Sequence, residues 1–111
     1  MISIDRIEFG NLVINGKSYN QDLLLFWDGT IITKEKSHEV TESVMRRLLA
    51  KKPEIVILGI GFDGIVSISR AAKRLARDIE LIIELTPGAL KTFEKIQRAG
   101  KKVACLAHPT C

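Results

Sequence analysis

One stretch constrains the fold more than any other: Pro53-Glu54-Ile55-Val56-Ile57-Leu58-Gly59-Ile60-Gly61-Phe62-Asp63-Gly64. Ile55 to Leu58 is continuously apolar, which fits a strand covered on both faces rather than one with a wet side. The run ends in a glycine-rich turn, and the pattern after the turn predicts a helix carrying Ile65, Ile68, Ala72, Leu75 and Ala76 on its inner face. A covered strand needs neighbours on both sides and a layer above and below.

The chain supplies them. Leu81 to Leu85 reads as a second buried strand. Thr86 is an N-cap candidate, with Pro87 suited to the first helical position. Ala89, Leu90, Phe93 and Ile96 recur at helical spacing, Gly100 marks the helix end, and Val103 to Ala107 reads as a final strand. Strand, helix, strand, helix, strand in this order predicts parallel pairing with right-handed crossovers.

The first third has a different grammar. Ile2, Ile4 and Phe9 suggest a strand to Gly10. Leu12-Val13-Ile14, Asn15-Gly16 and Lys17-Ser18-Tyr19 form a hairpin signal, because Asn-Gly accepts the two positive φ angles of a type I′ turn. Leu23 to Trp27 and Ile31 to Thr33 flank a second tight turn at Asp28-Gly29. These strands predict an antiparallel meander. Between the halves, Ser37 is an N-cap candidate for a helix from about His38 to Lys51. Val40, Val44, Met45, Leu48 and Leu49 form its inner face, and Pro53 lies beyond its end. The fold class is therefore α/β: a three-layer domain over residues 1–111 with a mixed central sheet, an antiparallel meander followed by β-α-β-α-β.

Three groups of residues carry candidate chemistry. Gly59-Ile60-Gly61-Phe62-Asp63-Gly64 is a literal G-x-G-x-x-G between a predicted strand and a predicted helix, and Glu84 lies 20 residues past Gly64. That pattern is shared with dinucleotide sites, where backbone amides reach a pyrophosphate and an acid holds a ribose. Only one further strand follows Leu85, so the second mononucleotide half is missing. The plainer reading is a tight turn, with a small anion at the helix N-terminus as an intermediate one. The strand ends after Leu58 and Leu85 line one crevice in a parallel sheet, which makes Gly59, Gly61, Glu84, Thr86 and Thr92 the candidate ligand or interaction site. No nucleophile–base pair is evident there, so no catalytic residue is assigned. The third group is Cys105, His108 and Cys111. Its spacing suggests a metal only in part, since a structural zinc site takes four ligands, and Cys105 reads better as a small core side chain.

Composition narrows the partners. The net charge of +4 and the 5% aromatic content give little support to a nucleic-acid platform, so the basic runs at Arg70, Lys73, Arg74, Arg77 and at Arg98, Lys101, Lys102 read as solvated faces. No apolar segment approaches the roughly 20 residues that span a bilayer, and Met1 to Arg6 lacks the pattern of a signal peptide. These features lead us to expect a cytoplasmic protein with reduced thiols, no cofactor, no metal and no membrane partner. A protein partner and a homodimer stay open.

Several stretches together resemble the Mth-domain family of small proteins, which includes the adipogenesis-associated Mth-domain protein and a mitochondrial respiratory complex I assembly factor. The resemblance runs through Ile14 to Tyr19 with Asp22, Ser37 to Val40, and Pro53 to Gly61. It continues at Thr86, Ala89, Thr92 and Phe93, then Lys101 to Ala104 and His108 to Cys111. It implies a compact three-layer α/β fold and makes Gly59 and Gly61 part of a shared strand-to-turn signature. The family usually has an asparagine after the aromatic matched by Phe93, where this chain has Glu94. Members with an assigned role act as assembly or interaction factors. The expectation is therefore a non-enzymatic binding or assembly factor. The alternative is an anion- or nucleotide-binding protein, or an enzyme, using the crevice at Gly59, Gly61 and Thr86.

Overall fold

A computed structural model describes residues 1–111. Its front end holds β1 (Ile4–Glu8), β2 (Asn11–Ile14) and β3 (Lys17–Tyr19), followed by β4 (Asp22–Phe26) and β5 (Ile31–Lys34). Then come β6 (Glu39–Val40), α1 (Glu42–Leu49), β7 (Ile55–Gly59), β8 (Ser67–Ile68), α2 (Arg70–Leu75), β9 (Glu80–Glu84), α3 (Thr86–Arg98) and β10 (Val103–Ala107). The main sheet has five strands in the order β5-β4-β10-β7-β9. β10, β7 and β9 run parallel, whereas β4 pairs antiparallel with β10 and β5, so the sheet is mixed as expected.

The antiparallel front end is real but divides between two sheets. β1, β2 and β3 form a small sheet of their own, while β4 and β5 join the main one. Asn15 and Gly16 take φ of 51° and 77°, as the hairpin signal requires. The middle strand of the main sheet is β10, the last in the chain, and β7 lies beside it. All five residues of each are buried, which is why both read as unbroken apolar runs.

Alternation along β4 shows how the layers are built. Leu23 and Leu25 enter a core with Ile55, Ile57, Ala89, Leu90, Phe93, Val103 and Cys105, under α3 and the small sheet. Leu24 and Phe26 enter a second core with Val44, Met45, Leu48, Val56, Leu58, Ala72 and Ala76, under α1 and α2. The two cores lie on opposite faces of one sheet, which gives three layers.

Four local expectations are corrected. The first helix begins at Glu42 and not at His38. Thr41 is its cap, accepting from Val44 N at 3.3 Å, because Glu39–Val40 is drawn into a parallel bridge with Ser67–Ile68. That bridge also delays the second helix to Arg70, capped by Ser69, and leaves Ile65 exposed. β9 is an edge strand with Ile83 exposed, so it is not buried on both faces. α1 ends three residues before Lys52, which adopts φ 56°, so the chain has left the helix before Pro53. No helix is long and apolar enough to cross a membrane.

Candidate functional site

Gly59, Gly61 and Thr86 meet at the C-terminal ends of β7 and β9. A Cβ on Gly59 would lie 2.9 Å from Leu106 O and 3.2 Å from Thr86 Oγ1, closer than packed atoms normally approach, so the strands and α3 come together only around a glycine. Thr86 does not cap α3; Leu85 holds that position, and Pro87 follows Thr86 in the first turn. The Thr86 hydroxyl faces the turn instead, accepting from Gly61 N at 2.9 Å and donating to His108 O at 2.7 Å. Thr86 N returns a bond to Gly61 O. The side chain thus ties the glycine turn to the residues after β10.

Those residues fill the crevice. The carbonyl oxygen of each residue from His108 to Cys111 accepts a hydrogen bond. Thr86 Oγ1 donates to His108 O, Gly10 N to Pro109 O and Phe62 N to Thr110 O, while Asp63 N and Ile65 N both donate to Cys111 O. A Cβ on Gly61 would sit 2.0 Å from the Cys111 carbonyl carbon, and Gly61 has φ +97°. The glycine turn is therefore shaped around the chain's own backbone. It does not open a helix either, since α2 starts six residues after Gly64, so the dinucleotide pattern fails in its structural context.

Glu84 ends β9 beside this crevice. Its backbone oxygen accepts from Ile60 N, while the side chain turns toward the start of α3, with Oε2 3.1 Å from the position of a Cβ on Gly88. Its Oε1 is buried without a hydrogen-bond partner. Burial pushes the Cys105 thiol well above its ordinary range, and the Glu84 charge adds to this. Both cysteines are free thiols. Thr92 lies elsewhere. It lines a shallow groove with Ile55, Glu80, Lys95, Ile96 and Lys101, at the N-terminal ends of β7 and β9, the opposite edge of the sheet from Thr86.

The most densely bonded polar group is a pair that sequence reasoning did not bring together. Asp22 begins β4, and His108 directly follows β10, where Ala107 pairs with Leu23. Both side chains are fully buried, and Asp22 Oδ1 lies 2.7 Å from His108 Nδ1. Lys34 Nζ at 3.0 Å and Ser37 N at 3.1 Å donate to the other oxygen, Oδ2. His108 Nε2 is 3.1 Å from Thr110 Oγ1, and the His38 ring lies 5.3 Å from the His108 ring. Both imidazole nitrogens are thus engaged, and Cys105 sits within β10, so the Cys105, His108, Cys111 spacing does not converge on a metal. In the sequence, His108 stood in the partial metal spacing and in the family resemblance, and Asp22 in the resemblance alone, and nothing there paired the two.

The relatives fit this architecture. A family model described as a protein of unknown function (DUF498/DUF598) matches residues 4–108. The chain belongs to this family. A conserved hypothetical protein from Pyrococcus horikoshii is 28% identical, with a TM-score of 0.89 over 98% of this chain and 99% of that one. The structure named MT938 is 26% identical, with a TM-score of 0.84 over the whole of both chains. A Mth938-like domain from Bordetella pertussis shares the fold at 14% identity, with a TM-score of 0.75 over 96% of this chain and 85% of that one. The Mth-domain resemblance and the mixed α/β fold therefore both hold. No curated protein matches the chain. At the position where the family resemblance leads one to expect asparagine, Glu94 Oε2 accepts from Ile4 N at 3.1 Å and so ties β1 to α3.

Proposed function

We propose that this domain is a binding factor that works through contact with another protein, at the surface surrounding its closed glycine turn. The observation that carries this reading is the commitment of the turn's amides. The N–H groups of Gly61, Phe62, Asp63 and Ile65 are bonded to Thr86, Thr110 and Cys111, so an anion arriving there meets donors that are already paired. Around the same turn stand apolar side chains. Phe9 and Leu85 are more than 45% exposed, at 59% and 49%, and Ile65 is 58% exposed. Phe9 packs edge-to-face on Phe62 at 5.6 Å, and Leu85 reaches across Gly64. Large apolar groups grouped on one rim favour a protein surface over water.

The test has two arms. A melting panel of nucleotides, inorganic phosphate and organic anions should leave Tm within about 1 °C, because a ligand at 100 times its Kd adds about 2.7 kcal/mol. Phe9→Glu and Leu85→Glu should each release a co-purifying protein, whereas Lys91→Glu, on α3, should not. A clear shift with phosphate or a nucleotide would overturn this reading in favour of the small-ligand alternative.

A further inference from the structure

The segment that closes the crevice also carries a relay that contact with a protein does not use. Asp22, His108 and Thr110 form a chain of two hydrogen bonds, 2.7 Å from carboxylate to Nδ1 and 3.1 Å from Nε2 to the hydroxyl. We propose that Thr110 is a nucleophilic hydroxyl, activated by His108 and oriented through Asp22, that takes acyl groups from activated esters. This goes beyond the binding reading and does not rest on it.

The order of the groups suits that role. Asp22 and His108 are buried, and Thr110 is partly exposed, so the relay runs from the core outward. The Lys34 ammonium and the Ser37 amide both donate to Asp22 Oδ2, which holds the carboxylate as an acceptor. Nδ1 of a neutral His108 then carries the hydrogen, which leaves the Nε2 lone pair facing the Thr110 hydroxyl. His38, with its ring 5.3 Å away, is the other titratable group facing this imidazole. Thr110 itself is held in place by the bonds from Gly10 N to Pro109 O and from Phe62 N to Thr110 O. A nucleophile, a base and an orienting acid within hydrogen-bond reach are the signature of hydroxyl activation on unrelated folds.

In the first step Thr110 Oγ1 attacks the ester carbonyl carbon and its proton passes to His108 Nε2. The Oγ1–C bond forms, the bond to the leaving oxygen breaks, and the imidazolium returns the proton to that oxygen. Water, deprotonated by the same Nε2, then cleaves the Thr110 ester to release the carboxylic acid and restore the hydroxyl. Three backbone donors of the adjacent turn, Phe62 N, Asp63 N and Ile65 N, are committed to Thr110 O and Cys111 O and are not free to stabilise an oxyanion. The substrate class is therefore esters with a good leaving group. The Phe9–Phe62 pair beside the tail favours an apolar acyl group.

The probe is p-nitrophenyl butyrate with the full chain, in a Cys111→Ala background that removes the neighbouring thiol. One butyryl adduct should appear at Thr110, and p-nitrophenolate release should exceed that of an N-acetylated synthetic peptide spanning residues 103–111, with Cys105 and Cys111 both replaced by alanine, by on the order of 100-fold. Thr110→Val, close to isosteric, should stay folded but melt below the parent, because the buried His108 Nε2 loses its partner; it should lose the adduct and fall to the peptide's rate, whereas Thr110→Ser should keep both adduct and rate. Asp22 is a positioning residue, so Asp22→Asn should lower kcat with KM unchanged in whatever fraction remains folded. The proposal is overturned if no adduct forms, if Thr110→Val is acylated as fast as the parent, or if the free peptide reacts as fast as the folded chain.

Discussion

Replacing Thr86 by valine removes two buried hydrogen bonds while keeping the shape of the side chain. The Gly61 N–H loses its acceptor at 2.9 Å and the His108 carbonyl loses its donor at 2.7 Å, and Thr86 is fully buried, so water does not readily replace either. Each stranded group costs about 1–3 kcal/mol. The methyl that replaces the hydroxyl recovers about 0.8 kcal/mol. The net loss is about 1–5 kcal/mol. With an unfolding entropy near 2.1 cal/mol/K per residue over 111 residues, this corresponds to a drop in Tm of roughly 5–22 °C. Urea denaturation gives the free energy directly, and the slope should be unchanged. Thr86→Ser keeps the hydroxyl and loses only a methyl, so it should cost about 1 kcal/mol. If valine is tolerated within about 0.5 kcal/mol, or serine is the worse of the two, Thr86 does not tie the turn to the tail.

Gly61→Ala should loosen residues 108–111 and destabilise by more than about 2 kcal/mol, since the new Cβ meets the Cys111 backbone and φ is positive; proteolysis near Pro109 should accelerate. Gly10→Ala, with the same sign of φ but open space around it, should cost only about 1 kcal/mol by the same denaturation assay. The Lys51 ammonium and the Thr30 amide hold the Asp28 carboxyl down to about 2. Because the folded value lies below the unfolded one, its stabilisation is present above about pH 4 and fades as pH falls toward 2. The pair is more than a third exposed, so Asp28→Asn should lower stability at pH 7 by no more than about 1 kcal/mol and flatten the acid limb of the Tm–pH curve.

The elements that could be read from the sequence were those whose pattern is local. The Asn15-Gly16 hairpin, the buried runs at Ile55–Leu58 and Val103–Ala107, and the inner face of α3 each follow from a few neighbouring residues. The helix start at Thr41 was hidden because it depends on a two-residue bridge between segments 28 positions apart, Glu39 with Ser67. Thr86 was assigned to the right place and the wrong bond. As an N-cap its hydroxyl would serve its own helix, whereas here it serves Gly61 and His108, partners 25 and 22 residues away. Asp22 and His108 lie 86 residues apart and meet only through the antiparallel register of β4 on β10. Nothing local in either segment encodes that register. The candidate crevice at Gly59, Gly61 and Thr86 was therefore legible as a location, with Glu84 at its margin and Thr92 outside it. Its occupant was not, because a tail that folds back leaves no periodic signal.

The central claim is that residues 108–111 close the glycine turn from within the chain. Amide hydrogen exchange at Phe62, Asp63 and Ile65 in the full chain measures this directly, with and without added phosphate. These three amides should exchange at least about 1,000-fold more slowly than unstructured ones, as bonded amides that open only by local unfolding do, and phosphate should leave them unchanged. Exchange at the rates of an open loop, slowed only when phosphate is added, would contradict the account and return the turn to the anion site that its glycines first suggested.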